Sequence, residues 1–142
     1  MIDKFVKAWD ANKSQLKAYL SSHKMRDYDQ YELLVKALFK EVINPYLAKD
    51  NDYTFDLSRM TIIDDGQYQG TFLFIIPKDT YQPCYDDYVM TYSYYGSCSG
   101  CDAILAITDC EDNALPDEKQ ANEFFTLCLH LLQHCIYPYQ NN

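Results

Sequence analysis

Residues 88–102 read Y-V-M-T-Y-S-Y-Y-G-S-C-S-G-C-D, from Tyr88 to Asp102. The first half is aromatic and β-prone, the composition of a strand over Tyr88–Tyr95. Strand alternation puts Tyr88, Met90, Tyr92 and Tyr94 on one face and Val89, Thr91, Ser93 and Tyr95 on the other. The tyrosine face is expected to lie under a helix with its hydroxyls at the rim. The competing reading makes it a recognition surface, because tyrosine gives contact area at little entropy cost. The second half is a strand-to-helix turn. Gly96 and Gly100 are expected at positive φ, Ser97 or Ser99 as the helix cap, and Asp102 as the start of a short helix to Asp109 with Ile104, Leu105 and Ile107 inward.

Upstream, Thr71–Ile76 is almost wholly apolar and predicts a central strand covered on both faces, ended by Pro77. Asp64–Gly70 predicts a hairpin loop, with Asp65-Gly66 as the turn. Tyr53–Leu57 and Met60–Ile63 predict one or two further strands. Residues 78–87 predict a loop. A stripe through Phe5, Val6, Trp9, Leu16, Tyr19 and Leu20 predicts a first helix over 3–21, interrupted at Asn12 and Lys13. A second helix is expected from Asp29, its cap, to Ile43. Pro45 should stop or kink it, and Asn44 should be biased away from helical angles. Asp117 and Gln120 form a capping box for a last helix, whose stripe runs through Ala121, Phe124, Phe125, Cys128, Leu131, Leu132 and Cys135 and which Pro138 should end. The fold class is α+β: an antiparallel sheet of three to four strands packed by the second and last helices, with an N-terminal helical pair whose first member lies outside. One domain is expected over 1–142, helical over 1–47 and sheet-based over 53–137.

The 142 residues are nearly half hydrophobic and carry a net charge of −9. Residues 1–78 balance 11 basic against 11 acidic residues, whereas residues 79–142 hold Lys119 against ten acids. Such a field repels nucleic acid and anionic membranes and steers in a basic partner. Asp86, Asp87, Asp109, Glu111, Asp112, Asp117 and Glu118, with Tyr81 and Tyr85, are the candidate partner-binding residues. No apolar run approaches a membrane span, and Met1-Ile2-Asp3-Lys4 leads directly into the first helix. A cytoplasmic protein with mostly reduced thiols is therefore expected.

Cys98 and Cys101 form a C-x-x-C unit. With His130 and His134 they make a zinc-type spacing, but helical periodicity puts both histidines on the outer face of the last helix. A thiol-redox role is the other alternative, with Asp102 disfavouring a thiolate. Cys84 and Cys110 are substitute ligands. No P-loop, Rossmann glycine pattern or G-x-S-x-G occurs, so the balance leans away from an enzyme.

The string Tyr95-Gly96-Ser97-Cys98-Ser99-Gly100-Cys101-Asp102, with Asp65-Gly66-x-Tyr68-x-Gly70-Thr71 before it and Leu127–Gln133 after it, resembles small acidic proteins carried by bacteriophages and mobile elements of Gram-positive bacteria. The resemblance covers about residues 55–137. It implies a phage context and, by analogy, an anti-CRISPR-like inhibitor of host defence. The expected function is non-enzymatic binding, without a cofactor, of a host protein with a basic surface, such as a nucleic-acid-handling complex. The alternatives are a zinc or thiol module at Cys98 and Cys101, and a homo-oligomeric structural protein.

Overall fold

Helix α1 (Ile2–Ser22) opens the chain, followed by α2 (Gln30–Leu38), a π turn (Phe39–Ile43) and α3 (Asn44–Lys49). Strands β1 (Thr61–Asp64), β2 (Gly70–Pro77) and β3 (Tyr88–Tyr95) come next, then α4 (Ala103–Thr108) and α5 (Glu118–Gln133). The computed structural model describes residues 2–24, 30–98, 100–108 and 115–137. Asp29, Ser99, Cys110 and Pro138, which the sequence singled out, lie outside them.

Helix α1 is not an outer helix. Phe5, Ala8, Trp9, Leu16 and Leu20 are buried, and the Phe5 ring meets Phe39 and Phe55 edge-on at 6.1 and 6.0 Å. Trp9 packs on Phe125 of α5 at 4.7 Å. Asn12 does not weaken the middle of the helix. It is 6 % exposed, and its Nδ2 donates to the carbonyl of Val42 at 2.9 Å. A buried amide with a partner is a fixed point rather than a gap. Val6, expected in the stripe, is exposed.

The second helix does not stop at Ile43. Asn44 keeps helical angles (φ −61, ψ −41), and its N–H bonds to the carbonyl of Phe39, one residue further back than in an α-helix. Proline inside a helix loses a bond and clashes with the preceding turn. The wide π turn ahead of Pro45 reshapes that carbonyl pattern, and the helix continues to Lys49. The Asn44 side chain then fastens the next segment. Its Nδ2 donates to the carbonyl of Phe55 at 3.0 Å, and its Oδ1 accepts from the N–H of Phe55 at 2.8 Å.

The sheet is antiparallel in the order β1-β2-β3, so β2 is central as its apolar run predicts, but it is not covered on both faces: Phe74 and Ile76 are buried while Leu73 and Ile75 on the other side are half-buried. The β1–β2 hairpin closes over Asp64–Gly70, where the Asp65 carboxylate accepts from Thr71 N at 2.7 Å. Of the segment 53–57, Phe55 makes one isolated bridge to Lys78, and a 3₁₀ turn over Leu57–Arg59 precedes β1. The chain after α5 lies along the free edge of β3, where Met90 and Ile136 exchange both backbone bonds at 2.8 Å.

Helix α5 starts on the predicted capping box: Asp117 Oδ1 accepts from Gln120 N at 2.7 Å, and Gln120 Oε1 accepts from Asp117 N at 3.0 Å. Its buried stripe is Ala121, Phe124, Cys128, Leu131 and Leu132. One core holds Phe124, Cys128, Leu131 and Leu132 together with the inner faces of α1 and α2, and with Phe74, Ile76 and Val89 of the sheet.

Candidate functional site

Directly opposed residues in an antiparallel pair share a face. Phe72, Phe74 and Ile76 pair with Ser93, Thr91 and Val89, and Leu73 and Ile75 pair with Tyr92 and Met90. Phe74, Ile76, Val89, Thr91 and Ser93 are the buried members. The helices therefore cover the Val89/Thr91/Ser93 side of β3. The tyrosine side faces outward, contrary to the expectation that it lies under a helix. Thr91 explains how a polar residue takes the inner place: its Oγ1 donates to the carbonyl of Leu131 at 2.6 Å. That carbonyl lies in the last turn of α5, where acceptors lack helical partners.

The outward face is apolar. Ile63 of β1 pairs with Leu73, Thr61 with Ile75, and Ile136 with Met90. Ile63, Tyr94 and Ile136 are 48, 67 and 46 % exposed, while Leu73, Ile75, Met90 and Tyr92 are half-buried. The rings of Tyr92 and Tyr94 meet at 5.7 Å and 66°. An antiparallel sheet with one wet face ordinarily turns polar residues to it. A contiguous apolar face of this kind marks an interaction surface.

Around this face the predicted partner-binding residues divide. Tyr81 and Tyr85 are exposed on the β2–β3 connection, and Asp86 and Asp87 belong to its 3₁₀ turn, directly before Tyr88. Asp87 is partly occupied: its Oδ2 accepts from Cys84 N at 2.8 Å and its Oδ1 lies 3.9 Å from Lys78 Nζ. Asp117 and Glu118 stand at the start of α5, about 24 Å of helix from the end that meets β3. Asp117 is committed to its cap. Asp109, Glu111 and Asp112 lie outside the described residues.

The metal candidates do not meet either. His130 is exposed. His134 is not on the outer face of α5: it stacks on Tyr92 at 4.1 Å and 1°, with Nδ1 3.0 Å from the Tyr92 carbonyl oxygen. Among the described residues, the one group of three or more ligand-type side chains within 4.8 Å is Cys84, Asp86 and Asp87.

The C-x-x-C turn is closely built. Cys98 and Cys101 are both exposed, with their sulfurs 2.7 Å apart. Cys98 N donates to Cys101 Sγ at 3.2 Å, and Cys101 N donates to the Cys98 carbonyl at 3.0 Å. The hydrogen bond from the Cys98 thiol, then the Cys98 N–H, holds the Cys101 thiol below its usual range, and Asp102 opposes this only weakly. Neither Gly96 nor Gly100 has positive φ. Gly96 is required by space, since a Cβ there would lie 2.5 Å from Cys101 Sγ. Asp102 itself is the cap of α4, in place of Ser97. Its Oδ1 accepts from Leu105 N at 3.1 Å and from the buried Tyr31 hydroxyl at 2.8 Å, and its Oδ2 accepts from Gly96 N at 2.9 Å. Periodicity in α2 marks Tyr31 as core, but nothing in the sequence pairs it with Asp102.

Beside this turn lies a cleft of about 230 Å³, lined by Tyr31, Glu32, Ile62, Phe72, Tyr95 and Asp102 among others. Tyr95 stacks on Phe72 at 4.2 Å and donates its hydroxyl to Asp64. The acidic and phenolic groups of the cleft are paired internally: Tyr31 with Asp102, and Glu32 with Lys36 at 2.9 Å. The cleft therefore presents an aromatic floor rather than a free acid or base. No helix among the described residues is long and apolar enough to cross a membrane. No family model, curated protein or solved structure matches this chain.

Proposed function

We propose that the chain is a non-enzymatic binding protein that docks its outward sheet face on a protein whose apolar patch is bordered by basic groups. The observation that carries this reading is the outward side of β2 and β3. Leu73, Ile75, Met90, Tyr92 and Tyr94 occupy positions that a sheet facing only water fills with polar residues. The basic character of the partner follows from charge. Ten acids against Lys119 in residues 79–142 give a field that favours a cationic surface, and Asp79 and Asp86 precede the Tyr88 end of the face. The resemblance to phage and mobile-element proteins suggests a host defence complex as the partner, which would make the chain an anti-CRISPR-like inhibitor.

The test is a tagged pull-down from host lysate with three proteins: wild type, an Ile63→Lys/Tyr94→Lys double variant, and a control, Lys17→Ala, at an exposed position of α1. A stoichiometric partner should be retained by wild type and control and reduced at least ~10-fold by the face variant. Full retention by the face variant would remove the sheet face from the proposal. Binding unchanged between about 50 and 500 mM salt would remove the basic partner.

A further inference from the structure

We propose that Cys98 and Cys101 form a reversible dithiol–disulfide centre that exchanges with low-molecular-weight disulfides of the glutathione class. This activity is independent of the sheet face. The sulfurs lie 2.7 Å apart in a turn already closed by the Cys101 N–H to Cys98 carbonyl bond, so forming the S–S bond of about 2.05 Å takes only a small rotation of side chains. Both thiols are exposed, whereas Cys128 and Cys135 are buried. Gly96 leaves the space into which Cys101 Sγ packs. The Asp102 carboxylate, adjacent in sequence, is engaged by the Tyr31 hydroxyl and the N–H groups of Gly96 and Leu105.

Zinc asks for four ligands, and no third histidine, cysteine or carboxylate among the described residues joins this pair. The pair is instead complete for exchange chemistry. Cys101 Sγ accepts the Cys98 N–H, which favours its thiolate. It attacks one sulfur of glutathione disulfide, forming a mixed disulfide and expelling one glutathione thiolate. Cys98, losing its proton to solvent, then attacks the Cys101 sulfur, closes the intramolecular bond and expels the second. Two protein thiols are oxidised by two electrons, one small disulfide is reduced to two thiols, and the released protons are available to those thiols.

Reduced wild-type protein is incubated with excess glutathione disulfide, quenched with acid, alkylated and cut before aspartate. The fragment from Asp87 to Cys101 carries these two cysteines and no others. The expected wild-type fragment has lost two hydrogens and carries neither glutathione nor alkylating agent. The Cys98→Ser and Cys101→Ser fragments should each retain one glutathione, since neither can close the ring. Three results overturn the proposal: a wild-type fragment still alkylated twice after exposed Cys84 has reacted, a stable glutathione adduct on the wild-type fragment, or stoichiometric zinc in the purified protein that shields the pair.

Discussion

At the residue scale, Asp102 ties the strand-to-helix turn and the first turn of α4 to Tyr31 of α2, 71 residues away in sequence. Its carboxylate accepts from the Tyr31 hydroxyl, from Gly96 N and from Leu105 N. Removing one partner of a buried, charge-assisted set leaves the others desolvated. Asp102→Ala should therefore cost about 2–4 kcal/mol and Tyr31→Phe about 1–2 kcal/mol in urea unfolding. Equal small losses below about 0.5 kcal/mol would mean that the set is wet. The core thiols give a pH signature. Burial raises the Cys128 thiol and pushes Cys135 up to about 12, whereas unfolded thiols ionise near 8.5. The folded values lie above the unfolded ones, so this contribution is complete below about pH 8.5 and is lost as pH rises towards the folded values. Unfolding free energy should fall by roughly 2–3 kcal/mol between pH 7.5 and 9.5 in reduced protein. Cys135→Ala should halve that slope, and a flat profile would contradict sealed thiols.

At the scale of elements, Asn44 and Thr91 join pieces whose own propensities do not fix their placement. Asn44 satisfies both backbone groups of Phe55 from the helix side of Pro45. Asn44→Ala should cost about 2 kcal/mol and Asn44→Asp less, since the carboxylate still accepts the Phe55 N–H. Equal effects of the two would show that the Nδ2 bond dominates. Thr91 occupies an inner position of β3 by bonding the Leu131 carbonyl in the last turn of α5, which also accepts from Cys135 Sγ at 3.4 Å. Thr91→Val keeps the shape and removes that donor, with an expected loss of about 1 kcal/mol. Hydrogen exchange at the end of α5 should speed up with it, and unchanged exchange there would assign the loss to β3 alone.

At the scale of the whole molecule, the helices are gathered on one side of the sheet, and the other side is left apolar. The net charge of −9 at pH 7 adds self-repulsion to the folded state. Moderate salt should therefore raise Tm by a few degrees through screening, as in about 0.3 M sodium chloride. A Tm that falls with salt would show that the local ion pairs, Lys4 with Asp50 and Asp52 among them, outweigh the repulsion. Ile63→Lys/Tyr94→Lys should leave Tm nearly unchanged, because both side chains are already exposed, Ile63 by about half and Tyr94 by more.

The α5 capping box, the apolar stripes of α2 and α5, the Asp64–Gly70 hairpin and the central place of β2 are legible in the amino-acid sequence, because each rests on local chemistry or periodicity. What each face meets depends on packing between segments distant in the chain. Both sides of β3 carry residues that suit a strand, and the side turned to the helices is the one whose Thr91 hydroxyl finds a carbonyl on α5. Asn12 and Pro45 read as interruptions until Val42 and the π turn gave each its partner. The C-x-x-C pair was visible as a string. Its chemistry depends on a sulfur–sulfur distance and on where Asp102 points, and Tyr31, 71 residues away, takes part in setting the latter.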